Sequence, residues 1–234
     1  MRGGQPAAEG QFPWAAALSL ASERNSDHLC CGALIPGGSG DSRWVLTCAH
    51  AMARYQSDPH GIQATLATTR RTDTSRNASV RRIHVHPAWE RRRLTTHDIA
   101  VVELEDPVRN VLAPRIETES SGTSVPAGGQ ALVVGWGCTA YPGRLSEYLL
   151  CAVVERRCDP SLGAFYGVDS RAVVFAGAPG VGILPGDSGS ALVIGNENGH
   201  ALVGIASDFG AATADLYTAT APYADWIQAV CQSP

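Results

Sequence analysis

The stretch Gly182-Ile-Leu-Pro-Gly-Asp-Ser-Gly-Ser190 holds the residues around which the rest of the chain is interpreted. A hydroxyl such as that of Ser188 becomes a strong nucleophile only when a base removes its proton and N–H groups stabilise the resulting oxyanion. Gly186 lets the chain turn so that its own N–H and that of Ser188 point at one oxygen. Gly, Asp and Ser also make ordinary surface turns, so this stretch alone leaves both interpretations open.

Two further stretches carry a histidine and an aspartate next to apolar strands. Trp44-Val-Leu-Thr-Cys-Ala-His50 predicts a strand that delivers His50 at its end, and His97-Asp98-Ile-Ala-Val-Val-Glu-Leu104 predicts a strand that starts beside Asp98. The order His, Asp, Ser belongs to the chymotrypsin type of triad, whereas the subtilisin order begins with Asp and the α/β-hydrolase order with Ser. Ser190 also breaks the Gly-x-Ser-x-Gly pattern of the hydrolases.

The chain resembles the trypsin/chymotrypsin family of serine peptidases over essentially its whole length. The matching stretches, in chain order, are Arg2-Gly-Gly-Gln-Pro-Ala7, Phe12-Pro-Trp14, Cys31-Gly-Ala-Leu-Ile35, Leu46-Thr-Cys-Ala-His50, His86-Pro87, Asp98-Ile-Ala-Val-Val-Glu-Leu104, Gly135-Trp-Gly137 and Gly186-Asp-Ser-Gly189. The resemblance implies an all-β fold of two six-stranded antiparallel β-barrels with a C-terminal α-helix. It also implies a serine endopeptidase that hydrolyses peptide bonds.

The resemblance assigns a role to each candidate site residue. His50 would be the general base and then the acid, Asp98 would orient and stabilise its imidazolium, and Ser188 would form the acyl-enzyme. The N–H groups of Gly186 and Ser188 would make the oxyanion hole.

The first residues add an ion pair to this expectation. In the family, the terminal α-ammonium pairs with the aspartate before the catalytic serine, which here is Asp187. Matching Gly3-Gly4 to the family's paired glycines places Met1 at that terminal position. A Met1–Asp187 ion pair that forms without a propeptide is therefore expected, while a frayed terminus is the alternative.

We expect one peptidase domain over residues 1–234, with barrels at about 12–112 and 128–218. The polar, turn-rich stretch 113–127 is predicted to link them, and it separates the histidine and aspartate from the serine. This division suits a site in the cleft between the two barrels.

The tail predicts a closing helix at about residues 221–231. Tyr223, Trp226, Ile227 and Val230 recur with the spacing of one helical face. A proline lies near the start, where a helix tolerates it.

Composition and charge exclude several classes of function. The net charge of −4 argues against a nucleic-acid partner. No apolar run reaches the roughly 18 residues of a membrane span, and the first residues lack the apolar core of a signal peptide. The expected partner is a peptide or protein substrate, bound by a monomer. The 18 arginines, with no lysine, indicate a GC-rich bacterial source of actinobacterial type.

Seven cysteines predict disulfide bonds and therefore a secreted protein, although the odd count leaves at least one thiol unpaired. Cys138 with Cys151 is one plausible pair, and Cys48 with Cys30 or Cys31 is another. The family's cysteine directly after the catalytic histidine is absent from this chain. A reduced, cytoplasmic protein with buried thiols is the alternative.

The predicted substrate pocket leaves two specificities open. Its floor position, six residues before the serine, is Gly182, where trypsin-like members have an aspartate. Ser207 and Phe209 belong to the stretch that matches the substrate-binding strand, and Phe209 replaces a glycine. Aligning Tyr217 with the family's tyrosine places Asp215 on the back wall. A carboxylate there would select Arg or Lys, whereas Gly182 and Phe209 favour small or apolar side chains.

No metal or cofactor is expected. Residues 60–96 lack the carboxylate cluster that calcium requires. His84 and His86 lie on one strand face, as metal ligands can, but the family match explains His86 structurally.

Two other functions remain as alternatives. The same triad would serve an acyl-transfer enzyme or an ester or amide hydrolase with a reshaped pocket. A non-catalytic, peptidase-like binding module is the second alternative, because Ser190, Asp208 and Phe209 depart from the family pattern. The presence of all three triad residues favours an enzyme.

Overall fold

The computed structural model describes residues 1–21, 27–37, 41–92, 96–118, 125–196, 199–210 and 214–232. The strands, numbered along the chain, are β1 (Gln5–Pro6), β2 (Ala15–Leu20), β3 (His28–Ile35), β4 (Ser42–Thr47), β5 (Ile62–Leu66), β6 (Asn77–Val85), β7 (Ala100–Val108), β8 (Arg115–Ile116), β9 (Gln130–Gly135), β10 (Leu150–Arg157), β11 (Val173–Gly177), β12 (Ala191–Asn196), β13 (Gly199–Asp208) and β14 (Asp215–Ala219). The helices are α1 (Ala49–Met52), α2 (Pro160–Tyr166) and α3 (Ala224–Gln232), with 3-10 turns at Ala53–Tyr55, Thr74–Arg76 and Ala221–Tyr223. Among these described residues, no helix is both long and apolar enough to cross a membrane.

The first barrel closes in the order β2-β3-β4-β7-β6-β5. Strand β6 shows how the sequence pattern and the register agree. Val80 and Ile83 are both buried although they are an odd number of residues apart, while Arg81 and Arg82 between them are exposed. The pairing of β6 with β7 shifts register between Val80 and Arg82, and such a bulge returns the next apolar side chain to the core.

The second barrel follows the order β10-β11-β14-β13-β12-β9, and β9 pairs back onto β10 to close it. Its core contains the inward-facing side chains of several strands, among them Val133, Val154, Val174, Leu192 and Val203. The two antiparallel barrels confirm the predicted fold class.

Two short strands outside the barrels connect the halves of the chain. β1 pairs with β10, and β8 pairs in parallel with β13, so that Arg115 lies opposite Ala201. The linker was predicted as an irregular connector, and β8 corrects this for two of its residues. Residues 119–124 of the linker lie outside the described residues.

The predicted C-terminal helix is confirmed, with a 3-10 turn before α3. Tyr223 and Ile227 are buried in the same apolar cluster as the core of the first barrel, and Trp226 and Val230 pack against that cluster. The C-terminal helix thus follows the last strand of the second barrel but packs against the core of the first barrel.

Helix α2 was not predicted from the sequence. Asp159 caps its start by accepting a hydrogen bond from the Ser161 N–H at 2.9 Å. Gly167 ends it in a left-handed conformation, with φ of 63°. Both are ordinary helix boundary signals, and the segment between them is only seven residues long.

Candidate active site

The pairing of two strands brings His50 and Asp98 together. β4 and β7 run antiparallel with Thr47 opposite Ala100, so residues just after β4 lie beside residues just before β7. The backbone N–H of His50 donates to Oδ1 of Asp98 at 2.7 Å, and Nδ1 of His50 lies 2.7 Å from Oδ2. Asp98 is fully buried and His50 is 24% exposed, so one carboxylate fixes both the position and the orientation of the ring.

The buried Asp98 has further partners from the second barrel. The Ser207 hydroxyl donates to its Oδ2 at 2.5 Å, and the Thr218 hydroxyl donates to its backbone carbonyl at 3.0 Å. Ser207 was predicted in the substrate pocket, and that stays a prediction; its hydroxyl bonds to the aspartate.

Ser188 lies in the loop between β11 and β12, where the barrels meet. Its carbonyl accepts from the Cys31 N–H on β3 at 2.7 Å, and the next residue, Gly189, donates to the Ala206 carbonyl at 2.8 Å. The loop is therefore held from both barrels. Within the described residues, no hydrogen bond joins the Ser188 hydroxyl to His50. Such bonds are often long in free enzymes and tighten when substrate binds.

The backbone around Gly186 is arranged to leave two N–H groups free. Gly186 has φ of 91°, and a Cβ on it would lie 2.2 Å from the Leu145 side chain, so only glycine fits there. The N–H groups of Gly186 and Ser188 make no hydrogen bond to any residue that the structure describes. His28 Nε2 donates to the Gly186 carbonyl at 2.9 Å, and burial lowers the pKa of His28 to about 4. A neutral imidazole thus fixes the peptide bond between Gly186 and Asp187.

Asp187 is buried behind the loop and meets the chain terminus. The Met1 ammonium lies 2.8 Å from Oδ2 of Asp187, and neither group is exposed. The same ammonium also donates to the Cys138 carbonyl. The N–H groups of Gly137 and Leu184 donate to the carboxylate at 2.8 and 3.0 Å. Burial raises the pKa of Asp187, and the ammonium opposes that rise.

The Gly-Trp-Gly stretch at residues 135–137 makes room for this buried group. A Cβ on Gly137 would lie 2.3 Å from the Asp187 carboxylate, and one on Gly135 would lie 2.1 Å from the Ser190 hydroxyl. Side chains at either position would therefore displace the loop that carries Ser188.

The pocket residues Gly182 and Asp215 are in contact. A Cβ on Gly182 would lie 2.4 Å from Oδ2 of Asp215, so a side chain at the floor and a carboxylate on the wall exclude each other. Asp215 is buried and accepts from the Ile183 N–H at 2.8 Å and the Gly210 N–H at 3.0 Å. Burial raises the pKa of Asp215 to about 6, although these N–H groups and the charge of Arg2 oppose the rise.

Phe209 borders the neighbouring cavity, which has a volume of about 440 Å³. Its side chain is 43% exposed, and its ring centroid lies 6.0 Å from that of Tyr141. Arg2 and Leu184 also line this cavity. The two aromatic rings therefore flank the space beside Gly210, which itself contacts Asp215.

All seven cysteines are free thiols in the structure, so the predicted disulfide bonds are absent from it. The Cys138 thiol donates to the Gly143 carbonyl at 3.3 Å, whereas Cys151 lies within β10. Cys31 donates to the Gly186 carbonyl at 3.3 Å. Cys31 and Cys138 thus bond to backbone carbonyls as free thiols.

The two histidines considered as metal ligands make separate aromatic contacts. His84 lies 6.3 Å from Trp44 between ring centroids. His86 stacks on His97 at 5.3 Å and meets Trp226 edge-on at 4.9 Å. Both rings therefore take part in aromatic packing.

Three features of the site were missed from the sequence: the His28–Gly186 bond, the approach of Arg2 to Asp215, and a contact between Cys48 and His50. His28 and Gly186 are 158 residues apart, and no local pattern links them. Cys48 was considered only as half of a disulfide, yet its Sγ lies 3.8 Å from Nε2 of His50.

Known proteins are similar to this chain in sequence. The family described as Trypsin matches residues 1–227. Transmembrane protease serine 9 of Rattus norvegicus is 30% identical over 234 residues, which cover 96% of this chain and 21% of that protein. Serine protease SP24D of Anopheles gambiae is 29% identical, covering 97% of this chain and 79% of its own length. Granzyme M of Homo sapiens is 28% identical, covering 97% and 88%.

The chain thus spans about a fifth of the rat protein and most of the other two relatives. The match to the family runs through both barrels and includes every residue of the site. The bacterial source indicated by the arginine bias stays a prediction. The chain belongs to the trypsin family.

Proposed function

We propose that the serine endopeptidase activity of this trypsin-family chain proceeds through an acyl-enzyme at Ser188. His50 carries the proton, and Asp98 orients its ring. The observation that supports this most strongly is the pair of 2.7 Å contacts from His50 to one buried carboxylate. Because Nδ1 of the ring is bound to Asp98, only Nε2 remains to accept a proton from a nucleophile.

The reaction follows from these positions. Nε2 of His50 takes the Ser188 proton as Oγ attacks the peptide carbonyl, and the new oxyanion accepts hydrogen bonds from the N–H groups of Gly186 and Ser188. The imidazolium then gives its proton to the leaving amine. Water, activated by the same nitrogen, hydrolyses the ester and restores Ser188.

The Met1–Asp187 pair has a supporting role in this proposal. Asp187 links Gly186 to Ser188 in the chain, so its position determines where both N–H groups point. Removing the ammonium would leave a carboxylate buried without its countercharge, which costs about 3–5 kcal/mol in comparable pairs.

Adding one glycine before Met1 is therefore expected to reduce kcat/KM by on the order of 10²–10³-fold, the equivalent of that cost. The measurement is peptide hydrolysis by the chain with and without the extra residue. Replacement of the exposed Glu9 by Gln is a matched surface control. An extended chain with full activity would contradict the role of the ion pair.

We propose a preference for Arg or Lys before the scissile bond. Asp215 contacts Gly182 at the position where the sequence match places the pocket floor, and its ionised form would pair with a basic side chain by charge-assisted hydrogen bonds. The flanking rings of Tyr141 and Phe209 would contact the aliphatic part of that side chain.

The pKa of Asp215, about 6, gives this preference a pH dependence. Below that value the carboxylate binds a proton and loses the charge that selects Arg. We expect the ratio of kcat/KM for an arginine peptide to that for its citrulline analogue to fall as the pH drops through about 6. Taking the ratio removes the contribution of His50, since both substrates need the same base.

Asp215→Asn should remove this pH dependence and lower kcat/KM for the arginine peptide by about 10- to 100-fold. This factor corresponds to the free energy that a hydrogen bond to a charged group contributes. The citrulline peptide is the internal control. A wild-type ratio that stays flat with pH, or faster cleavage after apolar residues, would show that Phe209 and Gly182 define the pocket.

Peptide and ester turnover separate this proposal from the acyl-transfer alternative. An endopeptidase cleaves internal bonds of a random peptide library in a Ser188-dependent manner, and mass spectrometry locates the cuts. Ester turnover without any peptide cleavage would favour the acyl-transfer enzyme. We also propose that the chain acts as a secreted monomer, which sedimentation and fractionation of the expressing cells would test.

A further inference from the structure

Cys48 occupies the side of the His50 ring that the proposed mechanism needs. Its Sγ lies 3.8 Å from Nε2, the nitrogen that has to accept the Ser188 proton. Among the described residues, that thiol is the side chain in hydrogen-bonding contact with Nε2, and Ser188 is not. Cys48 is fully buried immediately before α1, so the backbone of the catalytic histidine's own helix fixes its place.

The surroundings of Cys48 favour a shared proton between sulfur and nitrogen. Burial opposes ionisation of this thiol, but hydrogen bonds with Cys30 and His50 and the charge of the imidazolium lower its pKa overall. In turn, the negative charge on Cys48 is the largest influence that raises the pKa of His50, ahead of its bond with Asp98. Thiols next to histidine ionise in this way because the thiolate and the imidazolium stabilise each other.

The other groups that face the His50 ring do not act at Nε2 in the way that the Cys48 thiolate does. Asp98 lies at Nδ1, on the opposite edge. Asp208, half-buried on β13, interacts with His50 through charge alone. Cys30 faces Cys48 and contacts the Thr47 hydroxyl at 3.3 Å. Cys48 is thus the group that acts at Nε2 itself.

We propose that Cys48 is a positioning residue that competes with Ser188 for Nε2 of His50 and holds the free enzyme in a resting state. The inference rests on the proposed role of His50 as the base. In the resting state the thiol proton has moved to Nε2, giving a thiolate and an imidazolium. Before His50 can accept the Ser188 proton, the first proton returns to the sulfur, which restores the neutral thiol and imidazole.

The proposal predicts a pH profile that a purely structural residue would not alter. Ser188 reacts only when Nε2 is free, so the rate rises with pH as His50 loses its proton. Cys48→Ala removes the anion and is expected to lower the midpoint of that rise. Below both midpoints, each unit of the shift increases the rate about tenfold. Cys48→Ser, whose hydroxyl stays neutral, should shift the midpoint in the same direction.

The experiment measures the second-order rate of fluorophosphonate labelling at Ser188 in these variants from pH 5 to 11. The range extends well above the pKa of an ordinary histidine because Cys48 raises the pKa of His50. Cys30→Ala, which removes a hydrogen bond that stabilises the Cys48 thiolate, should give an intermediate midpoint. Cys231→Ala, a thiol in α3 away from the site, is the matched control and should keep the wild-type profile. Histidine NMR titration of Ser188→Ala with and without Cys48→Ala gives the His50 midpoint independently of activity.

Identical midpoints in the wild-type chain and in Cys48→Ala, by labelling and by NMR, would overturn the inference while leaving the proposed function intact. Absence of labelling in every variant, including Cys48→Ala, would overturn the proposed role of Ser188 and this inference with it. A lower midpoint in Cys48→Ala and Cys48→Ser, an intermediate one in Cys30→Ala and an unchanged one in Cys231→Ala would support it.

Discussion

Replacing Ser188 with alanine is expected to lower kcat for peptide hydrolysis by on the order of 10⁶, as deletion of a triad nucleophile does in comparable enzymes. The hydroxyl is the only group of the proposed site that becomes covalently bound to the substrate. Its loop is held by the Cys31 N–H and by the bond from Gly189 to Ala206, neither of which uses the hydroxyl. The variant should therefore fold and bind substrate while losing the chemical step.

Ser190→Ala is the matched control, because Ser190 is a buried serine of the same loop. It should keep most of the activity. If Ser188→Ala cleaved peptides at a rate near that of the wild type, the nucleophile would have to be another group. The binding-module alternative would instead give no Ser188-dependent cleavage in the wild-type chain.

Asp98→Asn should lower kcat by about 10⁴ while leaving the ring in place. The backbone N–H of His50 can only donate, so the oxygen of the new amide must stay at the position of Oδ1. Its NH₂ group then faces Nδ1 of His50, which has to become an acceptor. In a neutral ring this places the proton on Nε2, the nitrogen that must be free to act as the base.

Asp98→Asn also reverses the direction of the hydrogen bond with Ser207. The Ser207 hydroxyl donates to Oδ2 in the wild-type chain, whereas it has to accept from the NH₂ group of the asparagine. Glu103→Gln is a suitable control: Glu103 is a buried carboxylate of the first barrel that pairs with Arg81 at 3.1 Å. It should leave kcat unchanged. A kcat for Asp98→Asn within tenfold of the wild type would show that the aspartate does not set the tautomer.

The fold and the family were accessible from the sequence because their signals are local. Each residue of the proposed triad follows or precedes an apolar strand, and the Gly-Asp-Ser-Gly stretch needs glycine for geometric reasons that hold in isolation. Gly186 illustrates this with its φ of 91°, a backbone conformation that residues with a Cβ rarely adopt. The apolar face of the tail was equally visible, since Tyr223 and Ile227 keep the helical spacing.

Most of the features that were not predicted from the sequence depend on contacts between distant segments. Cys138 and Cys151, an expected pair, are free thiols in the structure, and Cys138 donates to the Gly143 carbonyl. The bond of the Ser207 hydroxyl to Asp98 was not predicted, because the two residues lie 109 positions apart in the chain. His28 gave no signal at all, since its partner Gly186 comes from the other barrel.

Helix α2 was missed for a different reason. Its capping residues Asp159 and Gly167 were present in the sequence, but seven residues are too few to show a helical period. Short helices of this kind are better predicted from their boundaries than from their apolar pattern.

The most direct test of the central claim is to label the intact chain with a fluorophosphonate and locate the adduct by peptide mass spectrometry. The proposed mechanism predicts one adduct, on the peptide that contains Ser188, and its loss in Ser188→Ala and in His50→Ala. An adduct on another residue, such as the Cys48 thiol, or equal labelling of Ser188 without His50, would contradict the assignment of Ser188 as the activated nucleophile.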